Sequence, residues 1–280
     1  MEGLPVAVFC EKIGFRDEAL RFILDYPLAE KDWRAYRALF FRDQERFIAA
    51  VQETEDSPGL FLILYARLSA EAFGEYRERN IPEGIFFGTF MDLFFWHENY
   101  FSQTGKHGIA VSRWMPRHIL LRIFRLGRLQ FEPQALSLDL EAEGMVFRTG
   151  DLVLNVHIPQ GAPLVPEECE KSYREALLFF RGINPVFICN SWLLFPGLPE
   201  LLPPESNILS FQKPYRIYDV ALDSRQGEER IFGTVLDDPR DYPEGTNLQR
   251  SAKAYLTAGN RIGQGKGFFY YGFHSGETRQ

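Results

Sequence analysis

The part of the chain that most restricts its fold is residues 152–195. It opens with LVLNVHI (152–158), where valines and leucines crowd together with little polar alternation. Such a run describes a strand buried on both faces, and strands of that kind lie inside a sheet. Pro159 ends it, because a proline nitrogen cannot donate to a ladder, and Gly161, Pro163 and Pro166 hold the next residues as a loop. The pattern then turns helical. Proline suits a first helical turn, Glu167 and Glu168 favour the positive end of a helix, and Tyr173, Leu177, Leu178 and Phe180 supply an apolar face. VFICNSWLLF (186–195) reads as a second buried strand. Strand, helix, strand predicts a right-handed crossover between parallel neighbours, and ligands of open α/β sheets bind where such strands end. His157 on the first strand and Cys189, Asn190 and Ser191 on the second are therefore the first candidates for a site.

Upstream, residues 1–110 read as helices. One stripe runs through Trp33, Tyr36, Phe40, Phe47 and Val51 (31–53), and a second, begun by Pro58, through Phe61, Tyr65, Leu68, Ala72 and Tyr76. The third helix, begun by Pro82, is apolar nearly all round, with Ile85, Leu93, Trp96 and Tyr100 in one row and Phe86, Phe90, Phe94 and Phe101 in another. That predicts the centre of the helical part. Asp92 sits inside it, and a buried carboxylate has either a hydrogen-bonding partner or a task. Gly105 and Gly108 close the unit, giving a helical domain over 1–110 and a second domain over 111–280. Residues 114–125 read as a helix stopped by Gly127, whose arginines, with Arg113 and Arg128, form a solvated basic face or a phosphate anchor.

Short strands follow at 128–132, 136–140 and 145–147, with a tight turn at Thr149-Gly150-Asp151. Beyond 195 come a proline-rich loop with Ser206 and Asn207, strands at 215–222 and 230–232, and a helix at 247–258 capped by Thr246 or Asn247. The glycine-dense tail reads as a flexible turn before a last aromatic strand. The fold class is α+β or α/β: an all-helical N-terminal domain, then a mixed sheet with a central β-α-β crossover.

At 280 residues and 45% apolar content, with 26 Phe, the chain can bury a large core. A net charge of −7 argues against a general nucleic-acid surface. Cys10, Cys169 and Cys189 are far apart and odd in number, which suits a reducing compartment and shows no metal-ligand spacing. The N-terminus lacks the pattern of a signal peptide, and the most apolar helix is too short to span a bilayer. The expectation is a cytoplasmic protein without metal, membrane or nucleic-acid partner; oligomeric state is open.

Several segments together resemble a known family: TFMDLFFW, RLGRLQFE, VLNVHIPQGAPL with the Ser172-containing helix, CNSWLL at 189–194, Ser206-Asn207-Ile208, RIFG at 230–233 and TNLQR at 246–250. The sequence is similar to bacterial acyltransferase-like proteins that join a helical N-acyltransferase N-terminal domain to a GNAT-like C-terminal domain. The resemblance implies an acyl-CoA-dependent N-acyltransferase, with coenzyme A or acetyl-CoA as co-substrate and a small amine or peptide amine as acceptor. It implies that 152–158 splays from 186–194 to admit the pantetheine arm. Val156, Ile158, Gln160, Gly161, Ala162 and Leu164 would then hold the coenzyme, its pyrophosphate on backbone N–H groups at the helix start. The chain departs from the usual acyl-CoA loop signature, having Gln160-Gly161-Ala162-Pro163 in its place.

Acyl transfer to an amine needs a base, a polarised thioester carbonyl and a proton for the leaving thiolate. His157 is the candidate base because imidazole titrates in the useful range, with Glu132 in reserve and Asp92 third. Ser191 or Tyr100 would donate to the thiolate. Trp114, Gln130, Trp192 and Asn207, with Asp92, Tyr100 and Cys189, would line the acceptor site. Each has a plainer reading as a core residue, a cap or a backbone-bonded hydroxyl. Two rival classes stand beside this one: a covalent enzyme with Cys189 as nucleophile and His157 as its base, and a GNAT-like binding module without turnover, which the altered loop favours.

Overall fold

The computed structural model describes residues 3–272. The chain packs as two units, Met1–Leu126 and Gly127–Gln280.

The first unit contains α1 (Val6–Ile13), α2 (Asp17–Asp25), α3 (Glu30–Arg42), α4 (Gln44–Gln52), α5 (Ser57–Glu78), α6 (Glu83–Thr104), α7 (Met115–Ile119) and the short strand β1 (Phe124–Leu126). The single stripe expected over 31–53 is two helices. Asp43 adopts an extended conformation between them, and its carboxylate accepts from Arg46 N at 3.1 Å, capping α4. The centre of the unit is α5, not α6 as the Phe-rich pattern predicts. Residues 59–66 of α5 are buried without a break, and the helix packs against every other helix of the unit. Bare neighbours come closest to its backbone: a Cβ on Gly3 would lie 2.8 Å from Ala70 O, and one on Gly108 2.8 Å from Pro58 C. On α6 the buried residues narrow to Phe86, Thr89, Phe90, Asp92, Leu93 and His97. The helix expected over 114–125 is only the short α7, because Leu121 takes a left-handed φ of 53° and turns the chain into β1. Since α7 packs on α5 and α6, the first unit extends past the glycines at 105 and 108.

The second unit contains β2 (Leu129–Ala135), β3 (Leu140–Ala142), β4 (Met145–Phe147), β5 (Leu152–His157), α8 (Pro166–Phe179), β6 (Val186–Ser191), α9 (Asn207–Gln212), β7 (Arg216–Ala221), α10 (Gln226–Phe232), α11 (Asn247–Thr257) and β8 (Gln264–Tyr270). Its sheet runs β2-β5-β6-β8-β7. As expected, β5 and β6 are parallel neighbours joined through α8, and the other neighbouring pairs in this run are antiparallel. The segment read as a strand at 230–232 is the end of α10. Acids in its first turn and a left-handed Gly233 (φ 78°) behind it give helix signals at both ends.

The two faces of the sheet differ. Phe131, Leu154, Val156, Phe187 and Phe269 share one face by alternation and register, and α8 covers it: Tyr173 lies 4.8 Å from Phe187 and 5.0 Å from Phe269, ring to ring. Cys189, Ser191, Gly265 and Gly267 follow the same parity. The glycines are part of the strand, not the expected flexible turn. A Cβ on Gly265 would lie 2.2 Å from Leu194 O, so bare backbone is what lets the turn at Trp192–Leu194 lie against β8. The opposite face carries Val153, Asn155, His157, Val186, Ile188, Asn190, Gln264, Lys266 and Phe268. Its one end is a small core in which Leu136, Leu140 and Phe147 pack on Val153, Val186 and Phe268. Its other end is polar.

Candidate functional site

The polar end of that face coincides with a break in the sheet. β5 pairs with β2 at six positions and β6 pairs with β8 at six, but β5 and β6 pair only at Leu154↔Phe187 and Asn155↔Ile188. Beyond those two positions Val156 and His157 keep their ladder to β2 alone, which leaves a gap in the ladder between the parallel strands at their C-terminal ends. The loop beyond β5 is anchored from outside. Arg128 is 7% exposed; its Nη1 donates to Pro159 O at 2.8 Å and its Nε to Pro163 O at 3.1 Å. Its own N–H donates to Ser172 Oγ at 2.8 Å, and that hydroxyl donates to Glu168 O at 2.7 Å, which fastens the loop to α8. Gly161 has a φ of 122°, open to glycine and strained for other residues. Gln160, Gly161 and Ala162 are exposed at the loop's crest, Leu164 and Val156 are buried, and Ile158 is half-buried.

His157 stands at the mouth of the gap on the polar face. Its direct cross-strand partner on β2 is the fully buried Gln130, and Glu132, opposite Asn155, reaches it diagonally. His157 Nε2 lies 3.2 Å from Glu132 Oε2 and 3.2 Å from the Asn155 amide nitrogen. One ring nitrogen cannot donate to the carboxylate and accept from the amide at once, so the tautomer decides which neighbour is bonded. With side chains 20% and 16% exposed, His157 and Glu132 are sheltered yet reachable. An imidazole beside a carboxylate is equipped to take a proton from a ligand and to have the resulting cation stabilised.

Cys189 and Ser191 share the α8 face, the opposite side of the sheet from His157, so no Cys–His pair can form across it. Burial also pushes the Cys189 thiol up to about 12, which leaves about one thiolate in 10⁴ at pH 8. Cys189 therefore resists iodoacetamide in the folded protein, and Cys189→Ala keeps activity within about threefold of the parent. Rapid alkylation of Cys189 with parallel loss of activity would show the opposite. Ser191 Oγ accepts from Leu193 N at 3.2 Å, capping the turn that follows and keeping its own proton to give. Trp192 packs beside a separate core around Phe195, Tyr242 and Leu256. Asn207 is the exposed first residue of α9, whose cap is Ser206.

The first unit holds Asp92, Tyr100 and Trp114. Asp92 Oδ2 accepts from Trp114 Nε1 at 2.8 Å and faces His118 Nε2 at 3.1 Å, with Asp92 4% and His118 0% exposed. The carboxylate has hydrogen-bonding partners, the condition its burial requires. Tyr100 is half-buried near the end of α6, where its carbonyl accepts from Thr104 Oγ1.

Two family profiles match this architecture: an N-acyltransferase N-terminal domain over residues 5–121, and a GNAT-like C-terminal domain over 123–269, more than half of the chain. The chain belongs to this two-domain N-acyltransferase family. It is classed with the transferases accordingly. Among solved structures, an acyltransferase in complex with decanoyl-CoA and teicoplanin is similar over 95% of this chain and 89% of its own, at 20% identity and a TM-score of 0.77. An acyltransferase mutant in complex with octanoyl-CoA matches 96% of this chain and 90% of its own, at 20% identity and a TM-score of 0.78. An acyltransferase in complex with decanoyl-CoA matches 96% and 89%, at 20% identity and 0.77. At such identity the likeness speaks to the fold. No curated protein matches the chain. Among the described residues no helix is long and apolar enough to cross a membrane, and no group of three or more His, Cys, Asp or Glu could hold a metal ion.

Within the family architecture, two residues that the sequence does not single out, His118 and Asn155, shape these sites, and a third, Arg128, is neither solvated nor set on a basic face. His118 completes the Asp92 cluster, but stands in an arginine-rich stretch that hides it. Asn155 sits in the apolar β5 run two residues before His157, and that spacing puts both on one face, a signal the sequence does contain. Arg128 reads as one charge in a basic run; its burial against loop carbonyls depends on tertiary structure.

Proposed function

We propose that this chain is an acyl-CoA-dependent N-acyltransferase in which the second unit binds the thioester and His157 takes the proton of the acceptor amine. The observation that carries this reading is the gap between β5 and β6 with His157 at its mouth. In the reading, the pantetheine arm lies along the unpaired edge of β5 at Val156 and Ile158, and its amides replace the missing ladder partners. The pyrophosphate meets backbone N–H groups of Gln160, Gly161, Ala162 and Leu164 in the loop ahead of α8.

The amine nitrogen attacks the thioester carbonyl as His157 removes a proton from it. The tetrahedral intermediate expels the coenzyme A thiolate, the C–S bond breaks as the C–N bond is kept, and the imidazolium returns its proton to the thiolate. Glu132 stabilises the cation that His157 becomes. The decanoyl- and octanoyl-CoA bound by similar acyltransferases favour a medium-chain donor over acetyl-CoA, and the glycopeptide bound by one of them favours a large amine acceptor.

Calorimetric titration with coenzyme A, acetyl-CoA and decanoyl-CoA, followed by release of free thiol in the presence of amines, tests the reading. Binding with amine-dependent thiol release is expected. If no acyl-CoA binds, the transferase reading fails and the likeness is one of fold only.

A further inference from the structure

Next to His157 on the polar face lies a hydrogen-bond relay that the reaction above does not use. Ser224 Oγ accepts from Gln226 N at 3.4 Å and donates to Gln264 Oε1 at 2.7 Å; Gln264 Nε2 in turn donates to Asn190 Oδ1 at 2.8 Å. The relay has a direction. A backbone N–H can only donate, so the serine hydroxyl hydrogen is free to go to the glutamine oxygen. In this arrangement the glutamine offers its NH2 to the asparagine oxygen, which leaves the NH2 of the exposed Asn190 to a ligand or to water. Asn190 is exposed, although it comes from an otherwise buried strand. It lies two residues past the last β5–β6 pair, as His157 does on β5, so both side chains stand on one face across the gap. Further along the same face Lys266, opposite Asn190 on β8, is occupied by Asp219 at 2.8 Å.

We infer that Asn190, oriented by Gln264 and Ser224, binds the acceptor: its NH2 donates to an oxygen carried beside the reacting amine, so the enzyme selects amines bearing a hydroxyl or carbonyl over plain alkylamines. The inference rests on the transferase reading above. The thioester lies in the gap between the strands, whereas His157 and Asn190 project from the sheet toward the space an amine must occupy to lose its proton to His157. The amide hydrogens held there match an oxygen acceptor, whereas an alkyl group placed against them displaces the water that would otherwise accept from them. Asn190 is a binding residue in this account, and Gln264 and Ser224 are positioning residues.

The test compares ethanolamine and glycinamide with propylamine as acceptors, using decanoyl-CoA, in the parent and in Asn190→Ala and Gln264→Ala, with the decanoyl-CoA Kd measured for each. With kcat/KM taken per concentration of unprotonated amine, the parent is expected to show about tenfold higher values for the two oxygen-bearing amines, one well-placed donor being worth that much. Asn190→Ala removes the preference through KM, with kcat and the Kd for decanoyl-CoA nearly unchanged. Gln264→Ala removes part of it in the same way, a split between KM and kcat that general damage to the fold would not produce. A parent that binds decanoyl-CoA but does not favour the oxygen-bearing amines, or an Asn190→Ala variant that keeps the preference, overturns this inference alone. A parent that binds no acyl-CoA brings down the transferase reading and this inference with it.

Discussion

His157→Ala lowers kcat/KM for acyl transfer by about 10²- to 10⁴-fold, the range that a positioned general base contributes, while the affinity for acyl-CoA stays within about twofold. The separation follows from position. The proposed coenzyme contacts are backbone groups of β5 and the loop, which an alanine at 157 leaves in place, whereas the amine loses the group that takes its proton. Glu132→Gln has a smaller effect, about tenfold, because the base survives and only the neighbour that stabilises its cation is lost. Steady-state kinetics with a thiol-release readout and calorimetry on the same variants give both numbers. A His157→Ala enzyme that keeps more than a tenth of the parent activity would remove this residue from the chemistry.

The other large effect concerns stability. Asp92→Ala destabilises the first unit by about 2–4 kcal/mol, because two buried donors lose the acceptor they share. Trp114 Nε1 and His118 Nε2 both point at the lost carboxylate, in a site where Asp92 is 4% and His118 0% exposed. Asp92→Asn keeps one oxygen and the volume, so it costs less, about 1–3 kcal/mol. Denaturant titration followed by tryptophan fluorescence checks both, since Trp114 reports directly on the cluster. A loss below about 1 kcal/mol for the alanine variant would mean that the cluster is not held by its carboxylate.

Both predictions depend on partners the sequence conceals to different degrees. The strand, loop, helix and strand over 152–191 are legible because continuous apolar runs and Pro159, Gly161, Pro163 and Pro166 punctuate them without ambiguity. The break between α3 and α4 is not legible, because Phe40 and Phe47 are seven residues apart and the apolar stripe continues in phase across Asp43. The end of α10 is hidden for a related reason: three residues, Arg230, Ile231 and Phe232, are too few to show a period, and Gly233 behind them carries the better signal. For α6, apolar content overstates burial. Phe-rich faces attract attention, yet the centre goes to α5, which six helices approach. At the site, His157 and Glu132 are visible as types, but their contact exists only through the β2–β5 register, and no local pattern encodes a register between strands 25 residues apart. The opposite facing of Cys189 and His157 is decided the same way. Parity along each strand is readable, but the pairing Leu154↔Phe187 is what relates one strand's parity to the other's.

Arg128 divides labour within the loop after β5. Two of the loop's carbonyls are gripped by a side chain from the start of β2, and a third contact runs through Ser172 on α8, so the path of the backbone is dictated by residues that never meet the crest. Ala162 is thereby released from any duty of shaping the turn. Its side chain can change, altering bulk where a ligand would first arrive, while the row of amides beneath keeps its contour.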